Sequence, residues 1–363
     1  MKYVDEFRDS GLALEMAEAI RREAMQPIRI MEVCGTHTMA IARHGIRKLL
    51  PDNVRLISGP GCPVCVTPQT QIDRFIALGK LDGVILTTFG DMMRVPGSVS
   101  NLETERARGA DVRVVYSPLD AVGVAAENPG KRVVFFGVGF ETTTPSVALA
   151  ILEAGKLGLK NFFALCAHKV IPPAMAAMAS DPEVAIQGFM CPGHVSAIIG
   201  SDAYQPIARE YGIPCVITGF EPLDILQAIR MLVKQVAERR SEVEVQYSRA
   251  VSKQGNTAAA ACVESVFETD DAEWRGIGVI PGSGLKLRPE FAEYDAARFA
   301  PEVPRDQPPN TICECGLILK GLKTPPECAA FGAACTPENP LGPCMVSSEG
   351  ACAAEYRYAR SGQ

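Results

Sequence analysis

Short apolar runs recur along the first two-thirds of the chain and alternate with longer stretches of helical periodicity. The runs span residues 28–33, 54–58, 83–89, 112–116, 132–138, 161–167, 185–190 and 214–218. Strands that alternate with helices predict βαβ units and a parallel sheet. Because the runs are almost continuously apolar, we expect strands that are covered by helices on both faces. The pattern therefore predicts an α/β fold.

The runs form two sets of four that correspond at an offset of about 100 residues. Their corners correspond as well, because residues 117–120 follow the fourth run, residues 221–224 follow the eighth, and both contain Pro-Leu-Asp. Such self-similarity predicts an internal duplication, with two similar parallel-sheet α/β domains at 27–128 and 129–238. The boundary lies in a turn-forming cluster at 127–130.

The pattern changes after residue 238. A strand, an alanine-rich helix and a glycine-punctuated strand are indicated at 243–247, 256–267 and 278–287. Beyond Pro301 the chain is rich in proline, glycine and cysteine and has little periodicity. Such a segment buries too little apolar surface to order itself, so we expect a metal or cross-links to order it. We predict a third, irregular domain from 239–363, completed by an amphipathic helix in 1–26.

The composition is that of an ordinary globular protein, with 47% hydrophobic and 21% charged residues. The formal net charge of -6 argues against a nucleic-acid partner and against a polybasic membrane contact. No apolar run approaches the about 18 residues that span a bilayer, and the acidic N-terminal stretch lacks the basic start of a signal peptide. We therefore expect a cytoplasmic protein, where structural disulfides rarely persist. Clusters among its 13 cysteines then indicate metal ligation or thiol chemistry.

The first apolar run ends in the motif Cys34-Gly35-Thr36-His37-Thr38, and an amphipathic run follows from residue 39 to residue 50. The motif therefore lies at a strand-to-helix corner. Ligands of open parallel α/β sheets bind outside the carboxyl ends of the strands. Soft sulfur beside imidazole is a ligand set that iron, copper or zinc prefers. We predict that Cys34 holds a metal with His37 nearby.

The second apolar run ends in a Cys-x-x-Cys motif formed by Cys62 and Cys65. At a strand-to-helix corner this arrangement is typical of thioredoxin-like redox sites, because the amides of a helix N-terminus stabilise a thiolate. Half of a zinc site is the alternative, and it is less favoured because no second Cys-x-x-Cys motif completes four ligands. The motif predicts a redox dithiol.

Six further cysteines lie close together near the C-terminus. They are Cys313, Cys315, Cys328, Cys335, Cys344 and Cys352. Four thiolates at irregular spacing can hold a 4Fe-4S cluster and would leave two cysteines spare. A zinc knot with two idle cysteines is the alternative. A cluster beside a dithiol suggests that electrons pass from iron–sulfur to a disulfide.

Other strand ends carry polar residues. Glu141 follows a Gly-Val-Gly-Phe sequence that lacks the third glycine of the dinucleotide fingerprint, so we reject NAD binding. Glu141 is a candidate for either a cleft residue or part of a helix cap. His37, His168 and His194 also fall at strand ends, which favours roles in a site over core packing. The role of Cys191 is left open.

Taken together, these corners resemble the HypD family of hydrogenase maturation factors. The matching segments are Cys34-Gly35-Thr36-His37-Thr38, Gly59-Pro60-Gly61-Cys62-Pro63-Val64-Cys65, Gly139-Phe140-Glu141-Thr142-Thr143-Thr144-Pro145, Pro192-Gly193-His194-Val195-Ser196 and the six C-terminal cysteines. The resemblance extends over essentially the whole chain. It implies a scaffold on which the iron of nickel–iron hydrogenase receives two cyanides and one carbon monoxide while it is bound at Cys34.

The resemblance also implies partners and cofactors. A small HypC-type chaperone shares the iron, and a HypE-type protein delivers cyanide. The resemblance assigns a 4Fe-4S cluster to Cys313, Cys328, Cys335 and Cys352. It assigns a redox pair to Cys315 and Cys344, which relays electrons towards Cys62 and Cys65. Two other functions stay open: a stand-alone thiol–disulfide oxidoreductase similar to ferredoxin:thioredoxin reductase, and a zinc-stabilised binding module. No turnover reaction is assigned.

Overall fold

A computed structural model describes residues 5–303 and 312–359. The parts of the predicted domains at 1–4, 304–311 and 360–363 lie outside the described residues. The strands are β1 Ile28–Glu32, β2 Val54–Ser58, β3 Val84–Thr88, β4 Val112–Val114, β5 Arg132–Gly137, β6 Phe162–Cys166, β7 Gly188–Pro192, β8 Cys215–Thr218, β9 Val243–Val245, β10 Phe267–Trp274 and β11 Gly278–Leu287. Each predicted apolar run thus contains a strand, although the edges differ by up to three residues.

Helices follow most of the strands. They are α1 Ser10–Glu23, α2 Gly35–Arg43, α3 Ile46–Leu49, α4 Pro63–Val66, α5 Gln69–Leu78, α6 Leu102–Ala107, α7 Pro118–Glu127, α8 Thr144–Lys156, α9 Ile171–Ser180, α10 Gly193–Ile199, α11 Gln205–Tyr211, α12 Pro222–Ala237, α13 Thr257–Val266, α14 Cys315–Leu319, α15 Pro343–Val346 and α16 Ala351–Ala354. Within residues 5–303 and 312–359, no helix is long and apolar enough to cross a membrane.

The strands form two parallel sheets and one antiparallel hairpin. The first sheet has the order β2-β1-β7-β8-β9, the second has the order β4-β3-β5-β6, and β10 pairs with β11 in the hairpin. The predicted α/β class with parallel sheets is therefore confirmed. Strand β9, which was predicted to start the third domain, instead pairs in parallel with β8 at the edge of the first sheet.

The sheets do not follow the predicted division of the chain at residue 128. Strands β1 and β2 belong to the first sheet and β3 and β4 to the second, although all four lie within 27–128. The chain begins in the first sheet, builds the second, and returns to the first at β7. The internal order of strands is set by tertiary pairing, which the sequence offset does not encode. The duplication itself stays a prediction.

Alternate residues of a strand enter different cores, as expected for strands covered on both faces. In β5, Val133 enters an outer core covered by α7 and α8, whereas Val134 enters a central core. In β1, Ile30 enters the other outer core, covered by α1, α2 and α12, whereas Met31 enters the central core. The central core contains residues of both sheets and of the cysteine-rich segment. This shared core places the C-terminal cysteines beside the strand ends.

The terminal segments pack onto this framework. Helix α1 packs against α12. An ion pair between Arg230 Nη2 and Glu23 Oε1, at 2.6 Å, joins the two helices. The cysteine-rich segment packs through α15 against α4 and through α16 against α2. These contacts bring the C-terminal cysteines to the two corners that carry Cys34 and Cys62.

Candidate functional site

Cys34 occupies the corner between β1 and α2. It is the N-cap residue of α2, with an extended backbone (φ −151°, ψ 121°) and no side-chain capping bond. The helix begins at Gly35, so the rest of the motif forms its first turn rather than a loop before a helix at residue 39. Gly45, with φ 63°, separates α2 from α3 and interrupts the predicted helix. The thiol therefore sits directly at a helix N-terminus.

Two opposing effects act on the Cys34 thiol. Burial raises its pKa to about 12, and the charge of Glu349 acts in the same direction. The nearby backbone N–H groups of His37 and Thr36, at the N-terminus of α2, act in the opposite direction and favour the thiolate. Burial dominates when no cation is near. A bound metal ion reverses this balance because it deprotonates the thiol that coordinates it.

His37 is fully buried beside this corner. Its Nε2 lies 3.0 Å from the carbonyl oxygen of Gly219, and because a carbonyl only accepts, Nε2 carries the proton. Burial lowers the pKa of His37 to about 4, so the ring is neutral near pH 7. Its Nδ1 is buried without a hydrogen-bond partner. His37 thus keeps one unprotonated, unpartnered nitrogen, which is the form in which imidazole binds metals.

Phe220 places a second histidine near the first. Its ring lies 4.8 Å from the His37 ring and stacks at 4.0 Å on the ring of His194, whose side chain is exposed. His194 is the second residue of α10, which begins at Gly193 directly after β7, and β7 pairs with β1. The structure therefore brings His37 and His194 together at neighbouring strand ends.

Glu349 is a site residue that sequence reasoning missed. Its Oε1 accepts a hydrogen bond from Thr36 Oγ1 at 2.7 Å, and its charge acts on Cys34, His194 and Asp91. A Cβ atom at Gly35 would collide with the Glu349 side chain. The residue lies in the cysteine-rich segment, where no periodicity marks it. Only the packing of that segment on α2 reveals its position.

Glu32 is a second missed residue. It is the last residue of β1 and is fully buried, and it accepts a 2.7 Å bond from Thr38 Oγ1 and a 3.5 Å bond from the Cys34 backbone N–H. Burial raises the pKa of Glu32 to about 7. An acidic residue inside an apolar strand was the available signal. This carboxyl lies directly beneath the Cys34 corner.

The Cys-x-x-Cys corner lies against the Cys34 corner. The Gly35 backbone N–H donates to the Gly61 carbonyl at 2.8 Å, and a Cβ at Gly61 would overlap the Cys34 backbone. Cys62 and Cys65 form a disulfide with a Cα–Cα distance of 5.2 Å. The adjacency of β1 and β2 therefore brings a dithiol beside Cys34. Its redox role stays a prediction.

The six C-terminal cysteines lie near one another. The charges of Cys313, Cys335, Cys315 and Cys328 all act on the buried Cys352, and Cys335 Sγ accepts a 3.4 Å bond from the Leu341 N–H. Cys315 is within hydrogen-bonding reach of both Cys313 and Cys344. In residues 5–303 and 312–359, no three histidine, cysteine or acidic side chains converge on a single metal ion. The chemistry of this donor set, all sulfur and mostly buried, fits a multinuclear iron–sulfur cluster.

Glu141 lies at the carboxyl end of β5 in the second sheet. Its Oε1 accepts the Ile171 N–H at 2.8 Å, which ties this corner to the start of α9, and Oε2 is buried without a partner. Burial raises the pKa of Glu141 to about 7, and its charge also acts on Tyr204. Cys34 is not among the groups that bond or act on it. The structure thus gives Glu141 a partly unsatisfied carboxyl without joining it to the Cys34 corner.

The free energy of unfolding of Glu141→Gln, relative to that of wild type, should increase as pH rises. The folded carboxyl holds its proton up to about pH 7, whereas an unfolded one loses it near 4.5, so wild-type stability falls across that window. At about 1.4 kcal/mol per pH unit, the stability of the variant relative to wild type should increase by about 3 kcal/mol from pH 4.5 to 7. Urea unfolding at several pH values measures it. Glu153→Gln, at a half-exposed position of α8, is the control, and a pH-independent difference for Glu141→Gln contradicts the expectation.

His168 occupies a separate place at the end of β6. It is buried with both ring nitrogens unpartnered, and burial lowers its pKa to about 3. A Cβ at Gly137 would collide with its ring. It lines a cavity of about 320 Å³ with Lys169, formed against the β10–β11 hairpin. Cys34 is not among the residues that line this cavity.

The fold and this geometry define a class of protein. It is a parallel α/β protein whose strand ends gather a helix-capping cysteine, an oxidised dithiol and a group of buried cysteines. Residues 11–359 match the family model described as "HypD: Hydrogenase formation hypA family". The chain belongs to the HypD family of hydrogenase maturation factors.

Relatives support this assignment over the full length. The chain is 54% identical to "Hydrogenase maturation factor HypD2" of Bradyrhizobium diazoefficiens, with 99% of this chain and 97% of the relative covered. It is 54% identical to "Hydrogenase maturation factor HypD" of Azotobacter vinelandii, with coverages of 100% and 98%. It is 46% identical to the protein of that name from Escherichia coli, with coverages of 99% and 98%.

Proposed function

We propose that this hydrogenase maturation factor is a scaffold that holds iron at Cys34 while cyanide and carbon monoxide are attached. The observation that carries the proposal is the contact between two corners, in which the Gly35 N–H bonds to the Gly61 carbonyl. Through this contact Cys34, the proposed iron ligand at the N-terminus of α2, lies beside the Cys62–Cys65 pair, which we propose changes oxidation state. Iron is the cargo of this site.

The chain supplies only part of the coordination that iron requires. Cys34 offers one thiolate, favoured by the amides of α2, and His37 offers an unprotonated Nδ1 nearby. Exposed His194 and the Glu349 carboxylate border the same corner. The remaining ligands come from a small HypC-type chaperone and from the diatomic molecules, with cyanide delivered by a HypE-type protein. An incomplete ligand set suits a site that must release its iron.

Cys313, Cys328, Cys335 and Cys352 are the proposed ligands of a resident 4Fe-4S cluster. When bound, such a cluster supplies electrons one at a time at a potential set by its surroundings. Within the chain, the Leu341 N–H bond to Cys335 and the burial of Cys352 are the kind of surroundings that tune this potential. Cys315 and Cys344 are left for thiol chemistry.

The Cys315/Cys344 pair reduces the Cys62–Cys65 disulfide by thiol–disulfide exchange. The Cys344 thiolate attacks one sulfur of the Cys62–Cys65 disulfide, forms a mixed disulfide and releases the other sulfur as a thiolate. Cys315 then attacks the mixed disulfide at Cys344, which leaves Cys315 and Cys344 oxidised and both Cys62 and Cys65 reduced. Two electrons move from pair to pair, and the two protons lost by the attacking thiols return to the released thiolates. The packing of α15 on α4 supports this exchange.

Infrared spectra of the chain, purified anaerobically with its small partner, test the scaffold. Bands of iron-bound cyanide and carbon monoxide are expected, because the iron stays attached while it acquires those ligands. The Cys62–Cys65 disulfide also supports a thiol–disulfide oxidoreductase that reduces a partner protein and holds no iron at Cys34. That function, like a zinc-stabilised binding module, predicts no such bands.

Metal analysis of the same preparation distinguishes a 4Fe-4S cluster from a zinc site at the C-terminal cysteines. An anaerobic preparation should be brown, with broad visible absorption, and it should contain acid-labile sulfide with iron in slight excess, because Cys34 holds iron in addition to that of the cluster. Cys352→Ser should remove most of the colour because it removes a buried ligand. Cys262→Ser changes a half-buried cysteine of α13 that is not a proposed ligand, and it should keep the colour. A colourless wild type with stoichiometric zinc refutes the cluster.

A further inference from the structure

The cavity between the end of β6 and the β10–β11 hairpin lies apart from the Cys34 corner. Its volume is about 320 Å³, at the lower end of the about 300–1,000 Å³ that is usual for small-molecule pockets. The chain after β6 is joined to the hairpin by a backbone bridge between Lys169 and Gly284, and the Val170 N–H donates to the Ser283 carbonyl at 3.0 Å. Backbone contacts therefore hold the two walls of the cavity together.

Hydrogen-bonding atoms without partners are concentrated in this cavity. Of the eight buried side-chain nitrogen and oxygen atoms that lack a partner in the described residues, three belong to its lining: Gln71 Oε1 and both ring nitrogens of His168. Burial lowers the pKa of His168 to about 3, so the neutral ring offers one donor and one acceptor. Buried polar atoms without partners are costly. They are explained if a ligand with polar atoms occupies the cavity.

Lys169 adds a buried positive charge to the lining. The residue is only 4% exposed, and its Nζ lies 5.8 Å from the centre of the Trp274 ring. Burial lowers its pKa to about 8, and the charge of Glu273 opposes that shift, so the amine is mostly protonated near pH 7. In the part of the chain that the structure describes, Lys169 has no ion pair with a carboxylate.

The four carboxylates of the lining already have partners within the protein. They are Asp270 with Lys286 at 3.5 Å, Asp271 with the Gly282 N–H at 2.9 Å, Asp295 with the Ala297 N–H at 2.8 Å, and Glu273 with Thr70 Oγ1 at 3.4 Å. Arg74, another cation of the lining, is half-buried and donates to the Ala297 carbonyl at 3.0 Å. Since buried charges are normally paired, the group that would satisfy Lys169 is an anion.

We propose that this cavity binds a small organic acid, with its carboxylate at Lys169 and a second polar group within reach of His168. The Lys169 amine packs near Trp274, and the His168 ring lies 5.7 Å from the Phe267 ring. Phe267 and Trp274 are the first and last residues of β10. The cation and the imidazole therefore lie towards different ends of the cavity, which favours an acid that has polar atoms at both ends.

Ligand-observed NMR titrations of the full-length chain test the proposal with named probes. Acetate, succinate and glutarate are titrated at constant ionic strength, with succinamide as the neutral analogue and inorganic phosphate as a different anion. Succinate or glutarate should bind about tenfold or more tightly than succinamide and phosphate, because a buried ammonium forms a charge-assisted hydrogen bond with a carboxylate. Acetate should bind more weakly than the longer acids, because it lacks the second polar group.

Two substitutions of Lys169 separate charge from shape. Lys169→Met should weaken binding of the acid about tenfold or more, whereas Lys169→Arg keeps the charge and should retain most of the affinity. Without ligand, Lys169→Met should unfold at the same or a higher urea concentration than wild type, because it removes an unpaired buried charge. Unchanged binding in a folded Lys169→Met overturns the proposal.

Lys160→Met is the matched control. Lys160 is exposed, pairs with Glu293 at 2.9 Å and is not among the residues that line the cavity, so its replacement should leave binding of the acid unchanged. An equal loss of affinity in Lys160→Met would indicate a general effect of surface charge and would also overturn the proposal.

Hydrogen exchange of the wild type locates the acid without any variant. Saturating succinate or glutarate should slow amide exchange in residues 168–171 and 282–286, which form the two walls, and should leave residues 34–38 unchanged. Failure of both acids to bind, equal binding of succinamide or phosphate, or protection confined to other segments overturns the proposal. None of these outcomes bears on iron binding at Cys34, which the infrared bands test separately.

Discussion

Cys34→Ala should abolish the infrared bands of iron-bound cyanide and carbon monoxide in the chain purified with its small partner. The side chain supplies the one thiolate that this chain offers at the α2 N-terminus, and alanine has no atom that binds iron. The fold should persist, because the Cys34 side chain makes no capping bond. The expected change is complete loss of the bands, with circular dichroism and thermal unfolding close to wild type.

Cys262→Ala is the control for the Cys34 variant. It removes a half-buried thiol from α13, where only a long 4.0 Å contact to the Pro145 carbonyl is lost, and it should keep full band intensity. Bands of unchanged position and intensity in Cys34→Ala would refute iron binding at this residue. Reduced but shifted bands would place the iron mainly on the partner and would also count against Cys34 as its holder.

Cys62→Ser should block hydrogenase maturation while the chain keeps its cluster colour. Cys62 is the N-cap of α4, and its sulfur accepts the Cys65 N–H at 3.2 Å. Serine is a good N-cap residue, so it replaces this bond and preserves the local structure. It cannot form a disulfide, so the two-electron exchange with Cys315 and Cys344 is lost. Hydrogenase activity in a strain whose own copy is deleted measures the effect.

Two comparisons make the Cys62 result specific. Cys65→Ser removes the other half of the disulfide and should give the same loss, whereas Cys262→Ser should mature hydrogenase normally. The visible absorption of Cys62→Ser should match that of wild type, because Cys62 is not among the proposed cluster ligands. Loss of colour would make Cys62 a ligand, and full maturation would show that its disulfide is not required.

Elements that depend on local pattern were predictable. The second apolar run was predicted at 54–58 and is β2 at Val54–Ser58, and the glycine-punctuated segment at 278–287 is β11. A continuously apolar run both favours strand backbone and demands burial on two faces, so pattern and structure agree. The helix after Cys34 was placed too late, because a cysteine N-cap without a capping bond leaves little signal in the sequence.

Pairing between distant strands was not predictable. Ile30 of β1 pairs with Gly188 of β7, and no local feature of either strand specifies the other. The same limit applies to Glu349, which reaches the Cys34 corner only when the C-terminal segment packs on α2. It lies in a stretch where periodicity indicates nothing about neighbours.

The sequence by itself determined the chemical groups and the corners on which they lie. Cys34, Cys62 and Cys65 follow apolar strands, and in a parallel sheet such positions face outward at the carboxyl edge whatever the strand order. Only the tertiary structure decided which corners meet. Long-range pairing joined β1 to β2 and β7, and the central core drew the C-terminal cysteines against α4. The Cys34 corner thereby acquired a dithiol, a second histidine and a carboxylate as neighbours, because these contacts link residues far apart in the chain.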